Sequence, residues 1–187
     1  MRPVRRDEIL DYVTYSERRE QLRPYFLEQK RRRRVHIGEH VTLLFENRDT
    51  VRYQVQEMMR AEQIVREADI EHELATYNEL LGGEGELGCT LLIEVEDAAV
   101  RAAKLRAWRG LPGCVYARLE DGTLVRARFD ERQMDEQRLS AVQFIKFATG
   151  GRVPVAVGID LPELAGETLL TAEQRAALAE DLAEAAG

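Results

Sequence analysis

The stretch from Glu46 to Gln56 packs Glu46, Asn47, Arg48, Asp49, Arg52, Tyr53 and Gln56 into eleven residues. The apolar run Val41–Phe45 before it reads as a buried strand, and the spacing after it reads as a helix. A strand running into a helix leaves free backbone amides at the helix start, which suit an anion. Arg48 and Arg52 can add two-pronged contacts to a carboxylate or phosphate. The same residues also fit a structural knot in which Asp49 caps the helix and Glu46 pairs with Arg52. Both readings stand at this stage.

A second group is the run Lys30-Arg31-Arg32-Arg33-Arg34, a candidate docking patch for an acidic partner. Cations at a helix C-terminus are favoured by the macrodipole, so the run also has a structural reason to exist. It lacks interleaved aromatics and forms one short cluster, a poor match to a nucleic-acid surface. The three histidines are His36, His40 and His72. His36 and His40 flank Gly38, and Glu46 or His72 would have to complete a metal site around them. Ligand pairs one helical turn apart are the stronger metal signature, and no Glu-x-x-His pair occurs, so a metal role is a weak alternative. The sequence calls for no cofactor of its own. Cys89 and Cys114 form no CxxC and read as buried thiols rather than a disulfide. Ser16 and Ser140 are the only serines and no GxSxG occurs, which leaves nucleophilic catalysis without a motif.

The elements that position these groups can be read along the chain. Thr14-Tyr15-Ser16-Glu17 fits a capping box opening a helix that bends or restarts at Pro24 and ends in the basic run. After the strand at 41–46, Asn47 or Asp49 can cap the longest helix, roughly 49–67, with Val51, Val55, Met58, Met59 and Val65 near one face. A shorter helix near 70–78 leads to Gly82-Gly83-Glu84-Gly85, a flexible hinge without the Lys-Ser/Thr of a phosphate loop. A strand at 90–95 and an Ala-rich helix at about 97–108 follow. Cys114–Phe129 reads as a hairpin. A three-residue loop, Glu120-Asp121-Gly122 with Gly122 left-handed, places Val115, Ala117 and Leu119 on the same face as Val125 and Ala127. Two further strands, about 141–148 and 153–159, are expected to pair across Gly150-Gly151. Thr171-Ala172-Glu173-Gln174 is a capping box opening an acidic C-terminal helix.

The 187 residues are 44% hydrophobic and 33% charged, in the range of one globular domain. No apolar run approaches the roughly 18 residues needed to cross a bilayer. No export signal is evident, so the cytoplasm is the expected location. Residues 1–34 carry 11 Lys/Arg against 6 Asp/Glu, and the remainder 16 against 28, so a basic arm precedes an acidic body. That acidity disfavours extended nucleic-acid binding. The expected fold is α+β in one domain, 1–187. It has a basic helical arm at 1–34, a largely antiparallel sheet of about six strands with helices on one face, and an acidic helix at 171–187.

The segment Phe45–Met58, preceded by a Lys/Arg-rich helix end and a glycine, resembles an uncharacterised bacterial family catalogued as a domain of unknown function. The strands Thr90-Leu91-Leu92-Ile93-Glu94 and Val157-Gly158-Ile159-Asp160 are similar to it as well. The family is typically encoded beside rubrerythrin-like proteins and iron–sulfur oxidoreductases, so the resemblance implies a redox or oxidative-stress setting and a protein partner of that kind. It supplies no catalytic residues. Where the family has a His followed by Pro and a Tyr after the last strand, this chain reads Asp160-Leu161-Pro162-Glu163-Leu164, which weakens a metal or acid–base role there. The resulting expectation is a non-catalytic accessory protein. The alternative is an enzyme or small-anion-binding protein with its pocket at the 46–56 junction.

Overall fold

The computed structural model describes residues 1–130 and 138–186. Gly187, the last residue of the expected acidic helix, lies outside them. A short 3-10 turn, Arg6–Glu8, precedes helix α1, Tyr12–Arg31. The α1 cap is Asp11, whose carboxylate accepts the amides of Val13 and Thr14 at 3.0 Å each. Thr14, the expected cap, donates its hydroxyl to Asp11 at 2.6 Å instead. A carboxylate accepting two amides also meets the positive end of the helix dipole, so it wins over a hydroxyl. Pro24 neither ends nor restarts α1, because it lies on an exposed face where solvent can hydrate the carbonyl it leaves unpaired.

The basic run does not all belong to a helix end. After Arg31 the chain turns at Arg32 and Arg33, and Arg34 begins strand β1, Arg34–Ile37. Val35 and Ile37 point inward while Arg34 and His36 point out, the alternation of a half-buried strand. A turn containing left-handed Gly38 joins β1 to β2, Val41–Glu46. Asn47 caps helix α2, Arg48–Ala61, with reciprocal 2.9 Å bonds to Thr50. α2 is therefore shorter than expected, and α1 is the longer helix. Its apolar face is as read: Val51, Val55 and Met59 are buried with Ile70 and Leu74 of α3, Glu67–Asn78. Val65 lies past the end of α2 and is exposed.

Strand β3, Glu86–Ile93, starts earlier than its apolar run suggests. Its start is held by close backbone packing: a Cβ on Gly88 would overlap the Leu80 carbonyl, so the glycine there serves contact. Asp97 caps α4, Ala98–Ala107, and α5 spans Leu111–Cys114. Strands β4, Val115–Arg118, and β5, Leu124–Arg126, form the expected hairpin in the expected register, Ala117 opposite Val125, with Gly122 left-handed. The second strand then leaves that sheet at Ala127. Its continuation β6, Arg128–Phe129, pairs with β7, Val142–Ala148.

β7 pairs with β3, and β8, Ala156–Ile159, pairs with β4, so the expected pairing of β7 with β8 does not occur. Left-handed Gly150 and Gly151 turn the chain from one sheet to the other instead of closing a hairpin. A last strand β9, Gly166–Leu169, precedes α6, Ala172–Ala185, which opens with the expected Thr171–Gln174 capping box.

The result is α+β, with nine strands among the described residues in two antiparallel sheets rather than about six in one. Their orders are β1-β2-β3-β7-β6 and β5-β4-β8-β9. The continuous β5–β6 segment links them on one side, and β9 lies against β1 on the other, Thr168 Oγ1 donating to His36 O at 2.6 Å. The larger apolar core lies between the sheets, with Leu105 and Trp108 of α4 and Leu178 and Leu182 of α6 added to it. Alternate β2 residues Leu44 and Glu46 point to the opposite face of the first sheet and are buried as well, on the side of α1 and α2.

Candidate functional site

Glu46, the last residue of β2, turns its carboxyl into the interior beneath the start of α2. Thr50 and Thr90 donate their hydroxyls to its two oxygens at 2.5 and 2.6 Å. Burial pushes this carboxyl above the usual range, against the pull of the two hydroxyls and of the Lys30 and Arg33 charges. The expected Glu46–Arg52 pair is absent. Arg52 instead reaches Asp49, one turn back at 3.0 Å, and lies over the Phe26 ring. Asp49 is not the helix cap; it accepts the Tyr25 hydroxyl at 2.5 Å. Arg48 turns toward Glu8 at 2.5 Å and Glu184 at 3.5 Å. Tyr53 stacks on Phe26 and carries the Lys30 ammonium over its ring. Gln56 closes both backbone groups of Leu10, accepting from its amide at 2.7 Å and donating to its carbonyl at 3.1 Å.

The seven residues thus separate into four arrangements. Glu46 and Asn47 are buried, and Asn47 donates to Asp181 at 3.2 Å as well as capping α2. Asp49 and Arg52 join Tyr25 at the surface, while Tyr53 and Gln56 pack inward. Arg48 spans from the N-terminal turn to α6. The Nε atoms of Arg48 and Arg52 are buried without an acceptor.

The basic run is engaged by the acidic helix of the same chain. Arg31 pairs with Glu28 and Glu173, and Arg32 with Glu180 at 3.1 Å. Arg33, 2% exposed, forms a two-pronged pair with Asp181, 3% exposed, and also donates to Gln29. Burial holds Lys30 below the ordinary lysine value. Arg34 points out of β1 into solvent. The run reads as a docking patch only in isolation; most of its charge meets α6. The residues that sequence reasoning missed are Thr90, Asp181, Glu173 and Glu180, with Glu184 opposite Arg48. A signal for them existed: Glu173, Glu180 and Glu184 recur at helical spacing on one face of α6.

The histidines do not converge. His36 Nδ1 lies 2.8 Å from Thr42 Oγ1, which also donates to Glu94. His40 packs near Trp108, and His72 is exposed on α3. Among the described residues no group of three or more His, Cys, Asp or Glu is arranged to hold a metal. Both cysteines are free, Cys89 buried in β3 and Cys114 partly buried beside Asp160.

Fold and site together define a two-sheet α+β protein whose polar junction is locked to its C-terminal helix. The chain belongs to the family described as a protein of unknown function (DUF3501), which it matches over residues 3–182. It is also similar to the crystal structure of a novel protein of unknown function from Burkholderia pseudomallei K96243. The two share 32% identity with a TM-score of 0.88, over 97% of this chain and 100% of that one. No curated protein matches the chain.

Proposed function

We propose that this protein is a non-catalytic interaction protein of a bacterial redox or oxidative-stress system, acting in the cytoplasm through an exposed face of α1. One observation carries the contact face. α1 is 20 residues long, yet only Tyr15 and Phe26 in it are fully buried. Its outer side presents Pro24, Tyr25 and Leu27, with Arg18 and Arg23 beside them. A helix that gives so little of itself to its own core has surface available for a partner. Tyr25 ties that face to Asp49 and Arg52, so the outward part of the 46–56 junction belongs to the same surface. The redox setting rests on the resemblance of the Phe45–Met58 segment, which points to a rubrerythrin-like or iron–sulfur partner.

The test is a tagged pull-down from native cells, with the companions identified by mass spectrometry. Recovery of such a partner, lost in a Tyr25→Asp/Leu27→Asp variant whose melting temperature is unchanged, supports the reading. Recovery undiminished by that variant removes α1 as the contact face.

A second reading, binding of a small anion at the 46–56 junction, is favoured by the two Nε groups of Arg48 and Arg52 that lack acceptors. Phosphate or a dicarboxylate should then raise the melting temperature of the parent but not of Arg48→Gln/Arg52→Gln.

A further inference from the structure

A cleft of about 630 Å³ opens between the C-terminal end of α3 and the β6–β7 edge of the first sheet, and none of its lining residues belongs to α1 or to the 46–56 junction. Arg128 of β6 and Lys146 of β7 both line it and are direct cross-strand partners. Side chains so placed begin about 5 Å apart, and like charges directly opposite repel. Glu86 pairs with Arg128. Lys146 has no ion pair among the described residues and spends one N–H on the Leu81 carbonyl at 2.9 Å. Burial, then the charge of Arg128, holds the Lys146 ammonium below the ordinary lysine value, with Glu79 pulling the other way. The apolar wall beside this cationic pair is formed by Leu80 and Phe144; Phe129 and Ile145 also line the cleft, but their side chains turn to the core on the other face of the sheet.

We propose that this cleft binds a small anion of one or two charges with an apolar body, an aryl or alkyl carboxylate or phosphate monoester. Its oxyanion group sits between Arg128 and Lys146, where it relieves their mutual repulsion and takes the ammonium's remaining donors. Its body lies on Leu80 and the Phe144 ring, where apolar burial adds affinity. Glu79 also lines the cleft and contributes to selectivity, because its charge opposes a nucleoside triphosphate or any other more highly charged anion.

The test titrates isotopically labelled protein with benzoate and with phenyl phosphate, following backbone amide shifts. Inorganic phosphate, benzyl alcohol and ATP serve as comparisons. At least one of the two aryl anions is expected to bind, moving the amides of residues 76–80, 128–130 and 144–146. Which one binds separates a carboxylate ligand from a phosphate ester. Arg128→Gln and Lys146→Gln should each weaken binding about tenfold or more, while Arg5→Gln, at an exposed side chain that does not line the cleft, leaves it unchanged. If Lys146→Gln fails to fold, Arg128→Gln, at an exposed side chain, carries the test. No shifts from either aryl anion at about 10 mM overturn the proposal, since a pocket of this kind should bind well below that. Binding that survives Arg128→Gln, or inorganic phosphate or ATP binding as tightly as the aryl anions, overturns it as well.

Discussion

Arg33 and Asp181, separated by 148 positions in sequence, meet in a two-pronged ion pair at 2.8 and 2.9 Å with both side chains almost wholly out of water. Such a pair gives little net stability, because stripping water from two ions offsets most of their attraction. Its effect is on specificity. An arginine buried at the turn after α1 is tolerable only with α6 in place, and Asn47 ties the same carboxylate to the start of α2. Asp181→Ala strands the guanidinium and should cost about 3–5 kcal/mol in urea unfolding. The double variant Arg33→Met/Asp181→Leu should recover most of that loss, and a double variant no more stable than the single one would contradict this account.

Glu46 makes stability depend on pH in a defined direction. Its carboxyl is raised above its unfolded value by burial. The folded state therefore holds its proton longer than the unfolded state does, and stability falls as pH rises. This contribution is fully present below about pH 4, the unfolded carboxyl value, and is lost as pH rises through the higher folded value. Glu46→Gln keeps the shape and removes the charge. Its stability should match the parent near pH 4 and exceed it at pH 8, by chemical denaturation at each pH.

Glycine positions separate contact from conformation. At Gly88 the Leu80 carbonyl occupies the place of a Cβ, so Gly88→Ala should destabilise by about 3 kcal/mol or more, the upper end of overpacking. At Gly38 the space is open and only the left-handed backbone matters, so Gly38→Ala should cost about 1–2 kcal/mol. Thermal unfolding of the two variants should preserve that order.

The two thiols should differ in reactivity. Cys89 is sealed in β3 and should react with an aromatic disulfide reagent only on unfolding. Cys114 is partly open, but burial and then the neighbouring Asp160 carboxylate raise its pKa, while Arg126 opposes them. Asp160→Asn should speed its reaction at pH 8, because removing the carboxylate lets the thiolate form more readily.

What the sequence made legible was local. The Thr171 capping box, the buried strand at 41–46 and the three-residue loop before Leu124 each follow from a few adjacent residues, and each is found. β1 was hidden because Arg32 and Arg33 look like a continuing helix end, although Arg34-Val35-His36-Ile37 alternates as a strand should. The partner of β7 was not legible either: Gly150-Gly151 reads as a hairpin turn, yet a glycine pair can equally redirect a chain between sheets. At the junction, the expected pairings are not the ones found. Asp49 turns to Tyr25 and Glu46 to two threonine hydroxyls, partners set by elements far along the chain.

The four acids of α6 that answer Arg31, Arg32, Arg33 and Arg48 lie in a helix that leaves the ribosome after both sheets. Until then, Arg33 has no counter-ion for its buried place, and the core lacks Leu178 and Leu182. A nascent or truncated chain is thus barred from settling into its native packing, however much of the two sheets it already contains. Packing of the two sheets is in effect checked against the presence of α6: a chain cut before Asp181 should remain a substrate for proteases, and one that carries α6 should resist them.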